Sequence, residues 1–252
     1  MKLYSDTDEL LLPSLDIRTG IDVGANAGTY ALHLARVSKT LVCFEPVPFM
    51  QRLLNMLFAG QKHVIIRNEA LSDRNGVATL SIPVQENEAV TAMASLHTAF
   101  PQGRDIAVNT IRLDDFCRES TWLDPALIDF IKIDVEGFEN EVIAGMREVL
   151  AKAHPVLLIE IELRHNSRCL DLFAELREAG YASYVSPVGG ALTPVSITTA
   201  EQLGAIQDLN SLALEKPGYR INSRRHYLNN FWFVHPDSVL KDSLSRFIRA
   251  SD

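Results

Sequence analysis

The segment Gly20-Ile21-Asp22-Val23-Gly24-Ala25-Asn26-Ala27-Gly28 passes from a short apolar run into a turn that contains two glycines. The run reads as a buried strand, and Thr29 to Val37, apolar at helical spacing, reads as the helix that follows. Glycine at such a turn lets the backbone approach a ligand closely, and the start of the helix offers unpaired N–H groups. Glu45 closes the next apolar run, Thr40 to Glu45, 23 positions beyond Asp22. In doubly wound sheets an acid roughly 20 residues on grips ribose hydroxyls. Strand, glycine turn, helix, strand and terminal acid together predict a nucleoside-binding α/β sheet.

A dinucleotide calls for Gly-x-Gly-x-x-Gly, so that pyrophosphate rests on the helix end. Here Asn26 stands in place of the middle glycine, and Asp22 lies two residues before the first, where its charge repels a pyrophosphate. S-adenosylmethionine (SAM) has no phosphate and carries a cationic amino group and a sulfonium. An acid at the turn suits that charge, so electrostatics favours SAM over NAD.

Outward from this unit, apolar runs alternate with helical stretches, as in an α/β fold. A helix set up by Pro46 and Pro48 and closed by Gly60 leads to a third strand, His63–Arg67. Val77–Ile82 and Ile106–Arg112 are β-like, and Asp114-Asp115 is expected to cap the helix or turn at Phe116. A fourth core strand, Asp129–Asp134, leads to one helix from about Glu139 to Lys152, then a fifth strand, Val156–Ile161. Asn166 or Ser167 caps the next helix, whose face carries Leu172, Phe173 and Leu176, and Gly180 ends it. Tyr181–Val185 and Asn230–Val234 are the last strands, with a short helix near Thr199–Gln207 between them. Without a linker or repeat, residues 1–252 read as one domain, with segments 83–105 and 187–229 facing the substrate. His97 and the basic turn Arg224-Arg225-His226 fall in those segments. Each reads either as a solvated loop or as a substrate contact.

The chain has 252 residues, 24 basic against 32 acidic, for a net charge of −8; hydrophobic residues make up 47% and charged residues 22%. That is an ordinary globular composition, and the acidic balance counts against a general nucleic-acid binder. Cys43, Cys117 and Cys169 form neither a zinc pattern nor a disulfide framework. Leu10-Leu11-Leu12 is cut off at Pro13, too short for a signal peptide or a membrane span, which leads to a cytoplasmic expectation.

Five blocks then occur in an order that resembles the FkbM-family methyltransferases. They are Asp22–Gly28, Phe44-Glu45-Pro46, Ala70–Asp73, Leu113–Phe116 and Ile131-Lys132-Ile133-Asp134-Val135-Glu136-Gly137-Phe138-Glu139. Asn230-Phe231-Trp232-Phe233 is similar to the family's final strand. The resemblance covers roughly residues 20–163 and has no counterpart for 187–229. It implies a class I (Rossmann-like) methyltransferase fold, a seven-stranded, mostly parallel sheet with helices on both faces. It further implies SAM-dependent methylation, most often of a hydroxyl oxygen; substrate identity does not carry over, and the acceptor expected is a small molecule, glycan or biosynthetic intermediate. By the same resemblance Asp22, Gly24, Asn26, Gly28 and Glu45 bind SAM, and Glu69, Ala70, Leu71 and Ser72 border the adenine.

Ligands of open α/β sheets bind beyond the carboxyl ends of the strands. Asp134 and Glu136 leave the fourth strand there, while Glu160 and Glu162 end the fifth, so these carboxylates are expected near the transferred methyl group, with Asp134 also against the cofactor. An alcohol acceptor must lose its proton to a base or a metal. Asp134, Glu136 or His165 is the candidate base, although His165 also reads as a polar residue ahead of the next helix cap. Alternatively Asp134 and Glu160 hold a divalent ion such as Mg²⁺. N-methylation, a non-catalytic SAM-binding regulator and, least favoured, an NAD-dependent oxidoreductase are the competing readings.

Overall fold

The computed structural model of the chain describes residues 7–85, 88–89, 94–96, 103–186, 191–213 and 228–249. His97 and Arg224-Arg225-His226 lie outside them. The chain opens with β1 (Ile17–Val23), α1 (Thr29–Val37), β2 (Ser38–Phe44), α2 (Pro48–Leu57) and β3 (Val64–Arg67). Then come β4 (Ala70–Leu71), β5 (Gly76–Gln85), β6 (Glu88–Ala89), β7 (Gly103–Ile111) and α3 (Leu113–Glu119). The central strand β8 (Ile128–Ile133) is followed by α4 (Glu139–Ala144), α5 (Arg147–Ala153) and β9 (Val156–Glu160). The last elements are α6 (Cys169–Glu178), β10 (Ala182–Val185), β11 (Thr193–Val195), α7 (Ala200–Ala213), β12 (Asn230–Val234) and α8 (Lys241–Ser245).

The main sheet has the order β11-β10-β12-β9-β8-β1-β2-β3. From β9 to β3 the neighbours are parallel, whereas β12 runs antiparallel between β9 and β10. The eighth strand, one beyond the seven expected, is β11, an edge added antiparallel to β10. Its central residue is Pro194, which lacks an N–H and is tolerated on an edge. A second sheet, β4-β7-β5-β6, stands beside the first and contains both β-like segments seen in the sequence. Ala94–Leu96 returns to it, Ser81 and Ser95 exchanging N–H···O bonds of 3.0 and 2.9 Å.

Alternation along buried strands sends successive side chains to opposite layers. Ile131, Ile133, Leu157, Ile159, Phe231 and Phe233 pack under one face with Leu172 and Leu176 of α6. Phe130, Leu158 and Trp232 pack under the other with Ala31 and Leu34 of α1.

The single helix expected over 139–152 is two helices, separated at Gly145-Met146. Gly145 is pressed against the Ser72 carbonyl, where a Cβ would lie 1.9 Å from the oxygen, and its own carbonyl accepts the Asp114 N–H at 3.1 Å. Asp114 does not cap its own helix. Its buried carboxylate accepts the N–H groups of Glu148 (3.2 Å) and Val149 (3.1 Å), and so caps α5. A tertiary contact therefore divides the helix, and the cap comes from a residue more than thirty positions away in sequence.

Candidate functional site

A cavity of about 250 Å³ opens beyond the carboxyl ends of β1, β2, β8 and β9. Gly24, Asn26, Glu45, Ala70, Leu71, Asp134, Glu136 and Glu160 line it, with Val47, Leu80, Ala94, Leu96 and Phe138 supplying apolar wall. Among the described residues on its walls four are acidic and none is basic.

Glu45 locks the first turn. Its two carboxylate oxygens accept the backbone N–H groups of Asn26 and Val47, each at 2.7 Å. Burial raises this carboxyl above the usual range while the two donors pull it back. Each oxygen keeps a further lone pair for a ligand hydroxyl. Gly24 holds φ +76, and a Cβ there would stand 1.9 Å from the Asp134 carbonyl oxygen, so only glycine lets β1 and β8 converge at the cavity floor.

Not every residue expected at the cofactor reaches this wall. Gly28 instead faces α2, where a Cβ would lie 2.9 Å from Leu54 and from Leu57. Glu69 is turned into an ion pair with Arg67 (2.5 Å), and the hydroxyl of buried Ser72 donates to Asp73 (3.0 Å). Asp22 is buried beneath the floor, on the opposite layer from Ile21 and Val23.

The partner of Asp22 is one that pattern reading passed over. Register pairs Asp22 with Lys132 across β1 and β8, and Lys132 is fully buried. Its Nζ donates to Asn230 Oδ1 and the Ile133 carbonyl (3.2 Å each), lies 3.8 Å from Asp134 Oδ2, and sits 4.8 Å from the Tyr30 ring centre. Asn230 in turn donates to the Tyr30 hydroxyl at 3.3 Å. Burial pushes Asp22 up to about 7, with Lys132 opposing and Asp134 and Glu45 reinforcing the rise. The available signal was Lys132 standing between Ile131 and Ile133 in a core strand, since a buried charge needs a partner.

Asp134, Glu136 and Glu160 each bring a carboxylate oxygen within 4.8 Å of the others. Asn229 clamps the outer carboxylates, donating to Glu160 Oε1 (2.6 Å) and Glu162 Oε1 (3.0 Å). Burial and the Asp134 charge push Glu160 up to about 9 and Glu136 up to about 8.

Glu136 holds a left-handed backbone, φ +48, with its carbonyl taken by the Ser95 hydroxyl at 2.9 Å. Its Oε2 lies 2.5 Å from His165 Nδ1, a close approach that is not aligned as a hydrogen bond. Glu139 ties this turn to the loop after β9, accepting from Gly137 N–H (2.8 Å) and Asn166 Nδ2 (2.6 Å). Gly137, at φ +94, rests directly on the His165 carbonyl, which a Cβ would approach to 2.5 Å. Burial lowers the His165 imidazole against the opposing pull of Glu162. His165 lies in a small recess beside the main cavity, with Asp134, Glu136, Glu160 and Glu162. The structure thus brings together all three candidate bases and both candidate metal ligands.

A parallel sheet with one antiparallel strand inserted next to its last parallel member, and a cleft at the carboxyl ends of the central strands, defines the class I (Rossmann-like) methyltransferase fold. Residues 22–183 match the Methyltransferase FkbM domain, and the chain belongs to that family. The 2-O-methyltransferase NoeI of Sinorhizobium fredii is 30% identical over 145 residues, 52% of this chain and 58% of that protein, so the match spans a little over half of that relative's length. The crystal structure of methyltransferase FkbM from Methylobacillus flagellatus matches with a TM-score of 0.52 at 15% identity, over 86% of this chain and 44% of that one. That likeness is one of fold. No helix among the described residues is long and apolar enough to cross a membrane.

Proposed function

We propose that the chain is a SAM-dependent methyltransferase that methylates a hydroxyl oxygen of a small-molecule or glycan acceptor. The observation that carries this reading is that the described residues lining the cavity include four carboxylates and no basic side chain. Such a wall disfavours a pyrophosphate and suits a cationic ligand. The 2-O activity in the name of the Sinorhizobium relative supports oxygen as the acceptor atom.

When bound, SAM supplies a methyl group on a sulfonium, open to in-line displacement. Glu45 would hold the ribose hydroxyls, the apolar wall from Val47 to Leu96 the base, and Asp134 and Glu160 the cationic end. With the reacting groups held in line, alignment does much of the work. The acceptor's proton needs a destination. Asp134, Glu136 and His165 are the groups placed to receive it, His165 being kept neutral by burial with its Nδ1 enclosed beside Glu136. The clustered carboxylates also suit a polyhydroxyl acceptor, whose O–H groups donate to them.

Calorimetry with SAM, S-adenosylhomocysteine and NADH tests the cofactor, followed by mass spectrometry of polyol acceptors incubated with labelled SAM. Binding of NADH but not SAM overturns the proposal. Asp134→Asn and Glu136→Gln should each lower turnover by about 10²-fold or more, the range of general-base contributions. The convergence of Asp134, Glu136 and Glu160 also supports a second reading, in which these carboxylates would hold Mg²⁺ and the ion would supply acidification of the acceptor hydroxyl. Full activity after thorough chelation with EDTA removes it.

A further inference from the structure

At the opposite end of the sheet, where β9 begins and β12 ends, a second group of ligating side chains meets. His154 follows α5 and His235 follows β12, and their rings stack with centres 3.9 Å apart and planes 10° apart. The Asp237 carboxylate stands 3.8 Å from His235 Nδ1. The three residues bring one ligating atom each within 4.8 Å of the others.

Several features mark the place as built. His154 holds a left-handed backbone, φ +47, a conformation unfavourable for a residue with a Cβ. Its Nδ1 is closed off from solvent and has no hydrogen-bond partner among the described residues, a cost that buried polar atoms seldom bear without a reason. His235 is buried and held from both sides. The Asp237 N–H donates to its Nδ1 at 3.1 Å, and the Ala179 carbonyl accepts from the ring's other nitrogen. That places the proton on Nε2 and leaves the Nδ1 lone pair toward Asp237. A backbone carbonyl behind the far nitrogen is the usual outer partner of a metal-ligating histidine.

We propose that His154, His235 and Asp237 bind a divalent cation of the zinc class, which pins the turn between α5 and β9 to the end of β12. Two imidazoles and one carboxylate supply three tetrahedral positions and leave the fourth to water. The nitrogen ligands select Zn²⁺ or Ni²⁺ over Mg²⁺ and Ca²⁺, which prefer all-oxygen sets. Loading turns the His154 ring out of its stack and replaces the Asp237 N–H on His235 Nδ1 with the ion.

The test is a calorimetric titration of ZnCl₂ into the EDTA-treated full chain, with thermal melting alongside. One Zn²⁺ per chain is expected, with a higher melting temperature. His154→Phe keeps a stacked ring and Asp237→Asn alters an exposed side chain, so both should fold. Each should weaken binding by about tenfold or more, while Asp134→Asn leaves it unchanged. Absence of saturable uptake, unchanged affinity in His154→Phe, or loss of uptake in Asp134→Asn overturns the proposal. The last outcome would place the ion among the carboxylates of the other site.

Discussion

Replacing Lys132 with Met removes the buried cation between Asp22 and Asp134 while keeping most of the side chain's volume. Two consequences separate by their pH dependence. The Asn230 side-chain oxygen and the Ile133 carbonyl lose their shared donor, at a pH-independent cost of about 1–3 kcal/mol for each acceptor left unpaired. Asp22 supplies the pH-dependent part. Its carboxyl is raised to about 7 in the fold by burial, against a lower value in the unfolded chain. The folded state therefore holds the proton more tightly, and this group's contribution to stability is fully present at low pH and lost as pH rises toward 7. Lys132 is the main influence holding that value down, so the variant's Asp22 titrates higher and goes on losing stability above pH 7. The extra loss is about 1.4 kcal/mol per pH unit, or about 2 kcal/mol between pH 7 and 8.5. Glu160, already raised to about 9, stays neutral over this window in both proteins and adds little. Urea denaturation of both proteins at about pH 6, 7 and 8.5 measures the difference. A gap between wild type and Lys132→Met that is the same at all three values refutes the pairing of Lys132 with Asp22.

Glu45→Ala leaves the Asn26 and Val47 N–H groups without their acceptor, costing about 1–3 kcal/mol each, and should weaken S-adenosylhomocysteine binding in calorimetry; unchanged affinity would remove Glu45 from the cofactor site. Asp114→Ala should cost about 1–2 kcal/mol by urea denaturation and speed hydrogen exchange at the Glu148 and Val149 amides, the cap of α5 having gone. Gly137→Ala forces the turn off the His165 carbonyl and should lower kcat more than cofactor affinity, as kinetics and calorimetry on the same variant will show. SAM binding should release protons and tighten as pH rises toward about 8–9, because a cationic ligand favours the ionised forms of Glu136 and Glu160. S-adenosylhomocysteine, without the sulfonium, should release fewer in buffers of differing ionisation enthalpy.

The parallel core was legible because its strands are covered on both faces and read as continuous apolar runs; β12 appears in the sequence with the same bounds as in the structure. Chemistry at the strand ends was legible too, since Glu45, Asp134 and Glu160 follow directly from where the strands stop. What stayed hidden depends on contacts between distant segments. The pairing of Asp22 with Lys132 requires the register of β1 on β8, and the division of α4 from α5 requires the Ser72 carbonyl against Gly145. β11 has three residues, too few to leave a period. His165 reads as a residue ahead of a helix cap until Gly137 brings its loop against Glu136.

The preference for a cation over a pyrophosphate survives, but on different atoms. Asp22, which in the sequence reads as the repelling charge, is buried beside Lys132 and away from the cavity wall. The preference passes instead to the acidic groups that do line it, Glu45, Asp134, Glu136 and Glu160, because a cation favours the ionised forms of Glu136 and Glu160 and an anion opposes them. The turn itself adds a second reason that no charge count contains. A phosphate-binding turn works because its backbone N–H groups point at the ligand unpaired. Here the Gly24 and Ala25 N–H groups donate to the Phe44 carbonyl at 2.9 and 3.2 Å, and the Gly28 N–H donates to the Ala25 carbonyl at 2.8 Å. The Asn26 N–H is taken by Glu45. With these four donors engaged the turn has fewer N–H groups to offer an anion, and Glu45, by consuming one of them, sets an acid against the turn and keeps its remaining lone pairs for a ligand hydroxyl.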